Sequence, residues 1–169
     1  MPDRLDDESL DMTLKQVIIS AIDEAIRRGA PSVEAEHLLL AIASGHDAAG
    51  RTLAEFGLDH AGVDAALRGE RERSLRAAGI EPVAEERLLA TRQSRPRWGA
   101  TVREALRRAD FSAHRGRRRA ERERLAVADA AVGILRADLG TVPRALAYAG
   151  VDRAALVAQL ESVSSERES

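Results

Sequence analysis

The chain has 169 residues, 44% of them apolar, which is enough for one compact domain with a real core. Ala and Leu dominate the apolar set, and Trp98, Tyr148, Phe56 and Phe111 are its only aromatics, a composition that favours helix over strand. The lack of cysteine excludes disulfides, thiolate zinc sites and a cysteine nucleophile, and no apolar run approaches the roughly 20 residues of a membrane span.

The net charge of −2 conceals an asymmetry: residues 1–75 carry 15 acids against 8 bases, and residues 81–124 carry 7 acids against 13 bases. The opening segment MPDRLDDESL is acidic where a signal peptide is basic and then apolar, so a cytoplasmic address is expected. Basic residues are 25 Arg and a single Lys, and with so much Ala this matches a GC-rich, actinobacterial genome.

Residues 1–9 read as a polar flexible tail. Leu14, Val17, Ile18, Ala21, Ile22, Ala25 and Ile26 then recur at spacings of three and four, the period of a helix with one buried face, until Gly29 offers a left-handed stop. Two starts are open: Asp11 as N-cap, or Thr13 with Gln16 as a capping box, with Met12 and Val17 as its staple. Pro31 and Ser32 turn the chain into residues 36–44, EHLLLAIAS, a nearly all-apolar segment closed by Gly45 and suited to a helix buried on most sides. Asp47 caps a third helix ending near Phe56 and Gly57, and Asp59 a fourth that reaches Leu67 or continues to Ala78.

The pattern then returns. Gly57-Leu58-Asp59 reappears as Gly150-Val151-Asp152, an offset of 93, and the same offset pairs Ala35 with Ala128, Glu36 with Asp129, Ile42 with Leu135 and Leu53 with Leu146 without a gap. Upstream the offset falls to 84, pairing Ala21 with Ala105 and Ala25 with Ala109, so the second copy holds nine extra residues, placed in HRGRRRAERER (114–124). The reading is all-α: two tandem four-helix repeats, 10–78 and 94–162, joined by a connector 79–93 with a turn of helix at Glu85–Ala90, and ending in a flexible tail 163–169. Trp98 and Phe111 are expected as core anchors of the second repeat, with a surface aromatic contact as the alternative for Trp98 alone.

Helix, turn, an apolar segment opened by Glu-His, then a helix ending in Gly-Leu-Asp or Gly-Val-Asp: this resembles the Clp N-terminal repeat, found in tandem at the front of Clp-type AAA+ unfoldases. Glu36-His37-Leu38-Leu39-Leu40-Ala41-Ile42 carries the likeness, with Val33, Gly29, Gly57 and Asp59 in register, and Pro96-Arg97 resembles the start of that family's fifth helix, with Pro at the first helical position. The likeness spans Leu10 to Leu160 and is looser in the second repeat, where Asp129-Ala130 replaces Glu-His. It implies a pseudo-two-fold bundle of about eight helices that docks adaptors, substrates or peptides. The only lysine, Lys15, stands without the glycines of a phosphate-binding loop, so the chain is no P-loop ATPase.

In some members of that family the acid of each Glu-His pair helps bind phosphoarginine, because a carboxylate accepts guanidinium N–H donors. Carried over, these acids are Glu36 and Asp129, with His37 beside the first; Ala35 and Ala128 stand where such members have threonine, and the leading reading of Glu36 is structural, a helix-start acid complementing the dipole. His37 is otherwise read as a partly buried residue that packs and caps. Arg115, Arg117, Arg118, Arg119, Arg122 and Arg124 form a second candidate, a solvated loop or electrostatic docking patch. No catalytic motif, metal-ligand spacing or cofactor signature is present, so no enzyme, metal or cofactor is expected. The expected role is a free-standing peptide- or protein-binding module of the Clp chaperone and proteolysis system, an adaptor, modulator or competitor of an unfoldase N-domain. The alternatives are a decoy for cyclic peptide antibiotics, since such domains in actinobacteria are their targets, and nucleic-acid binding through 115–124, disfavoured because Glu121 and Glu123 interrupt the run without any aromatic platform.

Overall fold

A computed structural model describes residues 13–82 and 95–165. Among these residues the chain forms eight α-helices: α1 (Leu14–Arg27), α2 (Ala35–Ala43), α3 (Ala48–Glu55), α4 (His60–Ala77), α5 (Ala100–Arg108), α6 (Arg119–Leu135), α7 (Thr141–Tyr148) and α8 (Arg153–Ser165). A 3-10 turn, Phe111–His114, precedes α6. Two short strands, β1 (Ser32–Val33) and β2 (Arg97–Trp98), pair in parallel with Ser32 opposite Arg97 and Val33 opposite Trp98.

Local chemistry accounts for the helix ends. The Thr13 hydroxyl accepts from the Gln16 N–H and the Gln16 side chain returns the bond to Thr13, the capping box that decides between the two starts of α1. Asp11 and Met12 lie outside the described residues, as does Glu85–Ala90. Asp47 and Asp59 cap α3 and α4 by accepting the N–H groups of Gly50 and Gly62.

The repeat persists at the level of single hydrogen bonds. Gly57 and Gly150 both take positive φ, 75° and 72°, and close the same Schellman turn: Leu58 N donates to Leu53 O as Val151 N does to Leu146 O. The bond from Gly62 N to Asp59 has its counterpart, again 93 positions on, in Ala155 N to Asp152.

The helices cross between repeats. α2 and α6 lie against each other at the centre, and each also touches the other repeat's first helix. α4 packs on α7 and α3 on α8, so the last helix of each repeat covers the third helix of the other. Polar contacts mark the α4–α7 seam: Arg144 Nε donates to Glu70 Oε1 at 2.8 Å, and the Arg73 guanidinium lies 4.3 Å from the Tyr148 ring centroid. One core results, holding Leu38, Leu39, Ile42 and Leu53 from the first repeat with Ile134, Leu135, Leu146 and Leu160 from the second.

Four expectations are corrected. Pro96 does not open the fifth helix: Arg97 and Trp98 are extended in β2, their bonds go to β1, and α5 starts at Ala100. That extended geometry leaves Trp98 37% exposed, and Phe111, in the 3-10 turn, is 38% exposed, so neither is a core anchor. Residues 119–124 are helix rather than loop, because Arg, Ala and Glu are strong helix formers and Arg119 pairs with Glu123 one turn on. α8 continues to Ser165, into the stretch expected as tail.

The nine extra residues are accounted for: with Ala35, at the start of α2, matching Ala128, residues 119–127 extend α6 at its N-terminus. The shorter α5 crosses this helix at Gly133, where a Cβ would come within 2.2 Å of Ala105 O. Gly133→Ala is therefore expected to cost about 1–3 kcal/mol or more in urea unfolding, since a backbone carbonyl cannot turn aside as a side chain can. Gly116→Ala, with nothing within 4 Å of the added carbon, should stay within about 0.5 kcal/mol of the parent chain.

Candidate functional site

The N-terminus of α2 is where both repeats and both strands meet. Pairing of β1 with β2 brings Glu34, the N-cap of α2, beside the first turn of α5. Glu34 Oε1 accepts from Ser32 Oγ at 2.7 Å, and Oε2 accepts from the Thr101 N–H at 3.1 Å and from the Thr101 hydroxyl. Thr101 Oγ1 in turn accepts from Ala35 N at 2.9 Å. Burial alone would raise the Glu34 carboxyl, but the donors from Thr101 and Ser32 outweigh it and hold the group below the usual carboxylate range. The close approach needs Gly99, where a Cβ would stand 1.9 Å from Glu34 Oε1.

His37 completes the cap. Its Nδ1 accepts the Glu34 N–H at 2.9 Å, filling the place that Glu or Gln takes in a capping box. The ring is 5% exposed, and burial, reinforced by the Arg28 charge, pushes its pKa down to about 4. His37 is thus a neutral, structural histidine that packs and caps.

Glu36 differs from the acid two residues before it. It is half-buried, and among the described residues no other side chain donates a hydrogen bond to it or pairs with it. Burial raises its pKa, its own backbone N–H opposes this, and the negative charges of Glu34 and Glu70 raise it further. The carboxylate stands on the border of two depressions. On one side lies an open cleft of about 1180 Å³ between α1, the N-terminal half of α2 and α4. On the other is a smaller groove of about 160 Å³ walled largely by Ala35, Ile134, Ala137, Leu139, Val142 and Pro143. Leu139, in the loop before α7, is 89% exposed there.

The far wall of the large cleft is an ion-pair network. Glu24, 4% exposed on α1, accepts from Arg27 at 2.8 Å and Arg28 at 3.1 Å and lies 2.6 Å from His60 Nε2 at the start of α4; Arg28 also reaches Asp64 at 2.7 Å. Burial of Glu24 works against its ionisation, and the bonds from His60 and Arg28 reverse that, leaving its pKa lowered. Glu24, Arg27, Arg28, His60 and Asp64 are thus paired with one another, and the Arg28 charge also acts on Glu36, without overcoming the effect of burial there.

Asp129 stands apart from Glu36, in a different cavity of about 260 Å³ that also exposes Arg108, Arg117, Arg136 and Ser164. Its Oδ2 lies 2.9 Å from His114 Nε2. Burial raises the Asp129 carboxyl, and the neighbouring His114 opposes the rise. The arginine run reaches this cavity only through Arg117, which is half-buried like Arg124, whereas Arg115, Arg118, Arg119 and Arg122 are exposed. Arg117 pairs with Glu121 at 2.5 Å and Arg119 with Glu123 at 3.1 Å, so the glutamates that interrupt the run also neutralise part of it.

Sequence reasoning did not find Glu34, Thr101, Glu24, His60 or His114. Glu34 had a faint signal, an acid followed three residues later by a capping-capable histidine; Glu24 stands one turn before Arg27 and Arg28, and the other contacts join distant segments. No family model matches the chain, and no curated protein matches it. Among the described residues no helix is long and apolar enough to cross a membrane, and no group of three or more His, Asp or Glu is arranged to hold a metal.

Because His37 falls from 6.5 when unfolded to about 4 when folded, the unfolded chain binds more protons between those values and stability declines as pH falls through that window. The loss between pH 7 and pH 5 is expected at about 2 kcal/mol, opposed by the raised carboxyl of Glu36. His37→Gln keeps an acceptor for the Glu34 N–H but cannot titrate. Chemical denaturation at both pH values should give that variant near-parental stability at pH 7 and a flatter decline toward pH 5.

Proposed function

We propose that this chain is a non-catalytic binding module of the Clp chaperone and proteolysis system, an adaptor, modulator or competitor of an unfoldase's N-domain. Two lines support the reading: the resemblance of its Glu36-His37-Leu38-Leu39-Leu40-Ala41-Ile42 segment to the Clp N-terminal repeat, and a double four-helix repeat closed into one bundle. The observation that carries it is Glu36, a half-buried carboxylate without a side-chain partner among the described residues, between an open polar cleft and an apolar groove. Such a group costs folding free energy and gains it back when a cation arrives. A guanidinium or ammonium on Glu36, with an adjacent aliphatic side chain in the groove between Ile134 and Val142, matches a basic-aliphatic peptide segment.

Nucleic-acid binding by the arginine run draws less support, since Glu121 and Glu123 already pair with two of its members. The peptide Ac-Leu-Arg-Ala-NH2 is expected to bind the full chain, and Glu36→Gln to weaken it at least about tenfold in calorimetric titration, a loss of about 1.4 kcal/mol. The same substitution removes an uncompensated buried charge, so its melting temperature should hold or rise. Addition of the chain to a purified Clp unfoldase degrading a tagged substrate should change the rate of degradation. An unchanged rate at saturating chain would count against the Clp assignment, and undiminished peptide binding by Glu36→Gln against the site.

A further inference from the structure

The two acids in equivalent positions of the repeat do not have equivalent surroundings. Glu36 opens α2, where the chain arrives through the extended residues Ser32 and Val33. Their counterparts 93 positions on, Leu125 and Ala126, are helical, because the nine-residue extension has taken α6 back to Arg119. Asp129 therefore lies within a helix, and the link from α5 passes it as the 3-10 turn Phe111–His114. The last residue of that turn, His114, is 7% exposed and sets its Nε2 2.9 Å from Asp129 Oδ2. Both atoms are sealed from solvent, and neither makes a well-directed hydrogen bond within the described residues.

We infer that His114 is an internal occupant of the second repeat's acid position, so that the module offers one acceptor acid, Glu36, instead of two. The inference rests on the reading of Glu36 as an acceptor. Three features carry it. The imidazole fills the approach to the Asp129 carboxylate that an incoming cationic group would need. The cavity around the pair is lined by Arg108, Arg117 and Arg136, with Asp110 and Glu161 as its other acids. Arg117 is held by Glu121, Arg136 by Glu161 and Arg108 by the carbonyl of Gly133, so Glu121 and Glu161 already have cationic partners of their own. The segment that delivers His114 has no counterpart in repeat one, where α1 is followed by a direct turn into β1. The first repeat keeps an open acid, and the second uses its own in the fold.

Calorimetric titration of the full chain with Ac-Leu-Arg-Ala-NH2 tests this by stoichiometry. One equivalent is expected for the parent, lost in Glu36→Gln and retained in Asp129→Asn. His114→Ala should raise the count to two, and adding Asp129→Asn to it should return the count to one. Two equivalents on the parent chain, one of them lost in Asp129→Asn, would overturn the inference while leaving the acceptor role of Glu36 intact; so would a folded His114→Ala that still binds one. If the parent binds none, or His114→Ala does not fold, a thermal double-mutant cycle of His114→Gln and Asp129→Asn decides. The double variant should lose at least about 2 °C less than the sum of the single losses, and additive losses would overturn the inference.

Discussion

Everything else in this molecule depends on α2 being apolar on nearly every side. Ala35 and the run from His37 to Ala43 are all buried, and a helix with so little polar face must be covered all round. Its own repeat supplies α1, α3 and α4; α5, α6 and α7 come from the other. α6 makes the same demand and is met in the same way. Neither repeat closes a core alone, which is why the exchange of α4 onto α7 and α3 onto α8 is the condition of folding for both. The candidate site inherits this dependence, because Glu34 is held by Thr101 and the groove beside Glu36 is walled by residues of the second repeat.

Two glutamates separated by one residue show how local satisfaction sets electrostatics. Glu34 has Ser32 and Thr101 as donors and is held ionised; Glu36, about half a turn farther along, has neighbouring acids and no side-chain donor among the described residues. Burial is the largest influence on each; at Glu34 the donors outweigh it, and at Glu36, where no side-chain donor stands against it, burial prevails. A carboxylate left in that condition makes the chain less stable than a neutral isostere would, the usual relation between a binding group and the fold that carries it.

What could be read in the sequence was what depends on short range. The period of α1, the caps at Thr13, Asp47 and Asp59 and the glycine stops all follow from residues within a turn or two of each other, the 93-residue echo is the recurrence of those local signals, and the eight-helix all-α bundle follows from them. Contacts across the chain were not legible. The pairing of β1 with β2 spans 65 positions in register and rests on backbone, so Trp98 and Pro96 were assigned by residue type and misplaced. The arginine run was read as loop from its charge, although its residues are good helix formers spaced for pairing one turn apart. Glu36 and His37 are legible because they open an apolar run; the contacts of Glu24 with His60 and of His114 with Asp129 depend on which distant segment comes to rest beside each.

The length of the α6 extension has an angular meaning. Nine residues at about 100° each amount to two and a half turns, so the chain joins α6 about half a revolution away from where it joins α2, and about 13 Å farther along the axis. An extension of seven or eleven residues would have returned it close to the original face. By its half-turn the insertion changes the side from which the backbone reaches an otherwise equivalent acid, so a difference in length between two copies of one repeat becomes a difference in direction of approach.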